Sequence, residues 1–140
     1  MLDIWYLTNK NISQLMLFQS DEDNYSIVKD GDLQPIISCG KLFTLVNTEL
    51  FGFLKKYFTN IDFGKEISIH DKQKKETAKG FFKLNIPDEI SPQTISSMNS
   101  DGIKIWNFEG NIFISGDLKK ELELAGFDNL ETSLGFWGWG

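Results

Sequence analysis

The sequence contains no arginine: all 14 of its basic residues are lysine, set against 20 acidic ones for a net charge of -6. Without the planar guanidinium that grips phosphate and guanine two bonds at a time, and with a surface that repels a polyanion, nucleic acid is excluded as an expected partner. Cysteine occurs once. Cys39 therefore has no intramolecular disulfide partner and no companion thiolate for a metal cluster, which points to a reducing compartment. It lies in Ser38-Cys39-Gly40 with no nearby His or Arg to stabilise a thiolate, so structural burial is expected of it, not reactivity. Histidine also occurs once, as His70, and no spacing supplies it with a nucleophile or an orienting group. It reads as a surface residue. The three prolines are too scattered to form a linker, so residues 1–140 read as one domain.

Long apolar runs are missing too. No segment approaches the ~20 residues of a membrane span, and Met1-Leu2-Asp3-Ile4-Trp5-Tyr6 lacks the basic and apolar regions of a secretory signal. The expectation is a cytoplasmic protein, in which the glycosylation-type triplets Asn11-Ile12-Ser13 and Asn24-Tyr25-Ser26 are chance matches. No nucleophile elbow, phosphate loop, zinc spacing or calcium loop appears, and no helix follows the glycine-rich end from Gly135 to Gly140. No residue is assigned to catalysis, a cofactor or a metal.

What is present is material for a dense core. Hydrophobic residues make up 41% of the chain, including 12 Phe, 4 Trp and 3 Tyr. A chain this long buries roughly 70% of its extended surface on folding, so one core suffices. Asp3 to Thr8 reads as a strand, and Asp21-Glu22-Asp23-Asn24 interrupts two apolar runs. Tyr25 to Lys29 reads as a strand closed by the turn Asp30-Gly31-Asp32. Leu42 to Val46 reads as a buried strand, after which Asn47 offers an N-cap with Glu49 in the first helical turn. Leu50, Phe51, Leu54, Tyr57 and Phe58 then follow at helical spacing, predicting a helix from Thr48 to Phe58 that ends near Asn60. Ile61-Asp62-Phe63 predicts a strand stopped at Gly64, Ile67-Ser68-Ile69 another, and Asp71 to Lys79 a solvated loop. Phe81 to Ile86 predicts a strand stopped by Pro87, and Pro92 to Asn99 a short helix.

The remainder repeats this logic. Ile103 to Phe108 and Ile112-Phe113-Ile114 predict strands around the turn Glu109-Gly110-Asn111. Ser115 then caps a helix from Gly116 to Ala125 with Asp117 in its first turn, an apolar stripe of Leu118, Leu122 and Ala125, and Gly126 as its stop. Val46-Asn47-Thr48-Glu49-Leu50 can be laid over Ile114-Ser115-Gly116-Asp117-Leu118. Leu54 then meets Leu122, and Asn60-Ile61 meets Asn129-Leu130 after one insertion. Strand, capped helix and strand occur twice, by duplication or because any such unit demands these residue types. The predicted class is α+β: a mixed or mainly antiparallel sheet with two or three helices.

Three segments carry a resemblance. The first runs from Pro35-Ile36-Ile37-Ser38 through Leu45-Val46-Asn47-Thr48-Glu49-Leu50 to Asn60-Ile61-Asp62-Phe63. The second is Gly80-Phe81-Phe82-Lys83-Leu84-Asn85-Ile86. The third is Ile105-Trp106-Asn107-Phe108-Glu109-Gly110-Asn111-Ile112-Phe113-Ile114-Ser115, continuing from Leu118 to Phe127. In this order they resemble the eleventh immunity-protein family of bacterial polymorphic toxin systems, long catalogued as a domain of unknown function. The first thirty or so residues and the Gly-Trp end fall outside the resemblance.

The resemblance implies a cytoplasmic immunity protein, made alongside a toxin and blocking it by direct binding. An acidic surface speeds encounter with a basic partner, although the same charge also serves solubility. The segments left over from the core supply the candidate partner-binding residues: Asp21, Glu22 and Asp23, which concentrate charge in one loop, and Trp137 and Trp139, a residue type common at interface hot spots. Two other readings remain open. A structural or assembly component of a phage or secretion apparatus implies a self-complementary surface, and a small-molecule enzyme implies a pocket with perturbed titrating groups.

Overall fold

The computed structural model describes residues 2–59, 61 and 65–137. In chain order the elements are β1 (Ile4–Asn9), β2 (Met16–Gln19), β3 (Asn24–Lys29), β4 (Ile36–Cys39), β5 (Phe43–Asn47), α1 (Thr48–Lys55), β6 (Glu66–Asp71) and β7 (Glu76–Lys83). A 3-10 turn (Ile95–Ser97), β8 (Ile105–Phe108), β9 (Asn111–Ser115), α2 (Gly116–Leu124) and β10 (Leu130–Leu134) follow. The strands form two sheets, ordered β10-β1-β9-β8 and β2-β3-β6-β7-β5-β4. All neighbours are antiparallel except β3 and β6, which are parallel. The chain is a single α+β domain, mostly β.

Four strands of the larger sheet repeat the smaller one. The order β4-β5-β7-β6 is matched by β8-β9-β1-β10, and placing the two helix caps on one another aligns the registers. Val46 lies between Ile36 and Phe82, as Ile114 lies between Ile105 and Trp5. In the first half the chain runs straight through β4, β5, α1, β6 and β7. In the second it runs through β8, β9, α2 and β10, and the position matching β7 is filled by β1, from the other end of the described chain. The strands β2 and β3 have no counterpart.

Both helices start where their caps dictate. Leu50 N–H donates to Asn47 Oδ1 at 3.0 Å, and Leu118 N–H to Ser115 Oγ at 3.4 Å. Each side-chain oxygen satisfies one amide that the first helical turn leaves without a partner. The first helix stops at Lys55, short of the expected Phe58. Tyr57 N–H reaches Leu54 O three residues back, and this tighter turn swings Phe58 into the core. The second ends at Leu124 with Gly126 left-handed at φ +82°, as its sequence requires.

The apolar side chains sort into three clusters. The largest, holding Leu50, Leu54, Leu118, Leu122, Val46 and Ile114, lies where the helices pack on the sheets. Ile4, Trp106 and Phe113, with Ile90 and Ile95, form a second on the other face of the smaller sheet. The third, containing Leu17, Tyr25, Phe43, Ile67, Ile69 and Phe81, belongs wholly to the larger sheet. Tyr25 and Phe43 stand on strands separated by two others, which in a flat sheet lie about 14 Å apart. Their ring centroids are 4.9 Å apart. The larger sheet is therefore rolled around its own cluster as an incomplete barrel.

Several local expectations are corrected. Residues 76–79 belong to β7, so the solvated segment shrinks to a tight turn whose Lys75 has φ 55°; the polar composition misled because this end of the strand is exposed. The short helix after Pro92 is one 3-10 turn, Ile95–Ser97. Cys39 is exposed, not buried, since β4 turns Ile36 and Ile37 inward and ends beside the β4–β5 turn. Leu42 and Ala125 are also exposed. Asp62, Phe63 and Gly64 of the strand expected after α1 lie outside the described residues, whereas Ile61 is buried.

Candidate functional site

The acidic triplet forms the turn between β2 and β3, and its three members do different work. Asp21 Oδ1 accepts the N–H groups of Asp23 and Asn24, each at 2.9 Å, and both its oxygens receive the Asn24 amide at 3.0 and 3.1 Å. These bonds, led by the Asp23 N–H, hold the Asp21 carboxyl below its ordinary value. Asn24 Oδ1 in turn takes a 2.8 Å bond from His70 Nε2, and His70 Nδ1 meets Thr77 Oγ1 at 3.0 Å. Since the amide oxygen only accepts, Nε2 carries a proton. The one histidine is thus half-buried and braces the loop from β6. Ser68 N–H adds a 2.8 Å bond to Asp23 O.

With Asp21 committed to the turn, the charge on offer is that of Glu22 and Asp23. Both are exposed, and among the described residues neither carboxylate makes a hydrogen bond or ion pair. Lys79 of β7 donates from Nζ to Ser68 Oγ at 2.7 Å.

Beside the loop lies a feature that sequence reasoning missed. Leu17 and Ile27 point into the barrel, and their chain neighbours Met16, Phe18 and Val28 turn outward, 56%, 61% and 63% exposed. A register shift pairs Met16 with Lys29 but Leu17 with Ile27, leaving Val28 as the extra residue of a bulge. The available signal was the unbroken run Leu15-Met16-Leu17-Phe18, apolar on both faces of a strand that has only one core to fill.

Trp137 follows β10 and is 81% exposed, with its N–H on Leu134 O at 3.0 Å. Its neighbour Phe136 is the anchor, with ring centroids 4.7 Å from Phe113 and 5.1 Å from Phe108. Trp139 lies outside the described residues. The structure does not bring the acidic triplet and Trp137 together, because one joins strands of the larger sheet and the other follows the last strand of the smaller one.

An open cleft of about 380 Å³ lies by the β8–β9 turn, lined by Lys41, Glu89, Ser91, Asn107, Phe108 and Glu109. Lys41 Nζ faces Glu109 Oε1 at 3.8 Å in solvent. Neither His70 nor Cys39 lines it. Among the described residues no three His, Cys, Asp or Glu side chains gather in a metal-ligating group, and no helix is long and apolar enough to cross a membrane. No family model, curated protein or solved structure matches the chain.

Proposed function

We propose that this protein is a cytoplasmic immunity protein that binds a cognate, basic protein toxin and neutralises it. Two lines support the reading: the ordered motif resemblance between Pro35 and Phe127, and the display of charge at the β2–β3 turn. The second carries it. A carboxylate spent on fixing its own loop, with two more held out unpaired, is a preorganised charge pair; it loses little conformational freedom when a partner's lysine or arginine arrives.

The test uses the protein encoded beside this one. Co-expression should relieve its toxicity, and the two purified proteins should form a complex whose association slows steeply as salt is raised. A toxic neighbour that remains toxic, with no complex at low salt, rejects the reading.

A further inference from the structure

The repeated topology separates what the fold needs from what has been added. Four strands and one helix complete each half, and β2 and β3 stand outside both. This extra ribbon carries the acidic turn at one end and Met16, Phe18 and Val28 on its outer face, where α1, packed on β5 and β7, does not reach. Its β2 strand ends the sheet and pairs only with β3 among the described residues. Edge strands are ordinarily guarded by lysine, proline or an inward charge, and Met16-Leu17-Phe18-Gln19 has none of these. Three large apolar side chains side by side, next to an open edge and uncompensated carboxylates, form a docking surface with a definite chemistry.

We infer that the β2 edge binds an extended segment of a basic protein, which adds to the sheet as a strand. Its apolar side chains cover Met16, Phe18 and Val28, and its lysine or arginine meets Glu22 and Asp23. Main-chain bonds along the edge supply affinity, and the alternation of apolar and basic residues supplies selectivity. The shortness of β2 and its bulge discourage indiscriminate pairing, and a net charge of -6 on each chain opposes a second copy as the occupant. The inference rests on the proposed toxin-binding role and names the surface through which it acts.

Two arms keep the two claims apart. In the first, a short peptide alternating valine and lysine is titrated into the whole protein, with a valine–glutamate peptide as control, and amide shifts are followed by NMR. Shifts confined to residues 16–29 and produced only by the lysine peptide are expected. Phe18→Ser with Val28→Ser should weaken that binding about tenfold or more, and Glu22→Lys with Asp23→Lys should abolish its salt dependence. Shifts mapping elsewhere, equal binding of both peptides, or none at all overturns the inference. In the second arm the same variants meet the protein encoded by the neighbouring gene. Binding that is undiminished in both rejects this surface and leaves the proposed role standing, whereas a peptide-binding ribbon with no affinity for the neighbour rejects the role and leaves the surface.

Discussion

Lys119 Nζ sits 4.5 Å from the centre of the Trp5 ring, at the place where the other half of the molecule stacks Phe51 on Phe82. With the caps Asn47 and Ser115 superposed, Phe51 corresponds to Lys119 and Phe82 to Trp5. In one half the rings lie 3.9 Å apart and 12° from parallel; in the other a cation takes the place of one ring and is itself 2.6 Å from Glu123 Oε1. The backbone relationship is conserved while the chemistry that joins helix to sheet is exchanged.

That pairing has a measurable worth. Lys119→Ala should destabilise by about 1 kcal/mol, combining a partly exposed cation–π contact with the loss of the aliphatic stem over the indole. Lys119→Met keeps the stem and should lose roughly half as much. Urea unfolding of the two variants separates the contributions, and equal losses would assign the whole effect to the cation.

The buried hydroxyl of Tyr25 makes no hydrogen bond among the described residues. Tyr25→Phe should therefore be neutral or stabilising by up to about 1 kcal/mol, since it removes a group that is desolvated without compensation. Burial first, and the charge of Asp23 second, push this phenol above its ordinary 10.0. An acid whose folded value is raised favours its protonated form on folding. The associated stability is complete below the unfolded value and is lost as pH rises past it toward the folded one. Thermal melts above about pH 10 should fall more steeply for the native chain than for Tyr25→Phe.

The two caps are equivalent in place but not in load. Asn47→Ala should cost about 1 kcal/mol. Ser115→Ala should cost more, because its fully buried Oγ also accepts Lys104 N–H at 3.0 Å, and removing it strands two amides. Chemical denaturation of each single variant checks the order, and the reverse order would mean that Lys104 N–H finds another acceptor.

Gly110 is the tightest position of the β8–β9 turn. It stands at φ +85° after Glu109 at 49°, the pairing of left-handed residues that a two-residue hairpin prefers, and a Cβ there would collide with the Gly40 carbonyl oxygen of the β4–β5 turn. Thr44 Oγ1 also donates to Gly110 O at 2.7 Å, so the turns of the two halves are locked to each other. Gly110→Ala should cost about 2–4 kcal/mol through strain and forced separation. Gly40→Ala, open at its own Cβ position, should cost less, and calorimetry on both variants measures the difference.

Much of this fold was legible in the sequence where local chemistry decides the outcome. Caps at Asn47 and Ser115, Leu50, Leu54, Leu118 and Leu122 on the helix faces, and the Glu109-Gly110 turn all announce themselves within a few residues. The edge strands β2 and β4 did not, because four-residue strands with a bulge or an exposed end show too little alternation. Exposure of Cys39 was equally hidden, being set by where β4 stops and not by the cysteine's own apolarity. The candidate loop was readable as a cluster of charge. That Asp21 is spent inside the loop, and that an apolar face lies beside it, follows only from the pairing of β2 with β3.

The position of β1 governs how the protein can be made. It lies between β9 and β10, so the earliest of the described strands to be synthesised must wait for nearly all the others before either neighbour exists. Ile4 and Leu7, both buried in the finished fold, stay uncovered during that interval, while β4 through β7 can already close into a sheet. Long-range pairing of this kind slows folding and leaves apolar surface waiting. A rearranged gene that placed β1 after β10 would give both halves the same uninterrupted chain order and remove the wait.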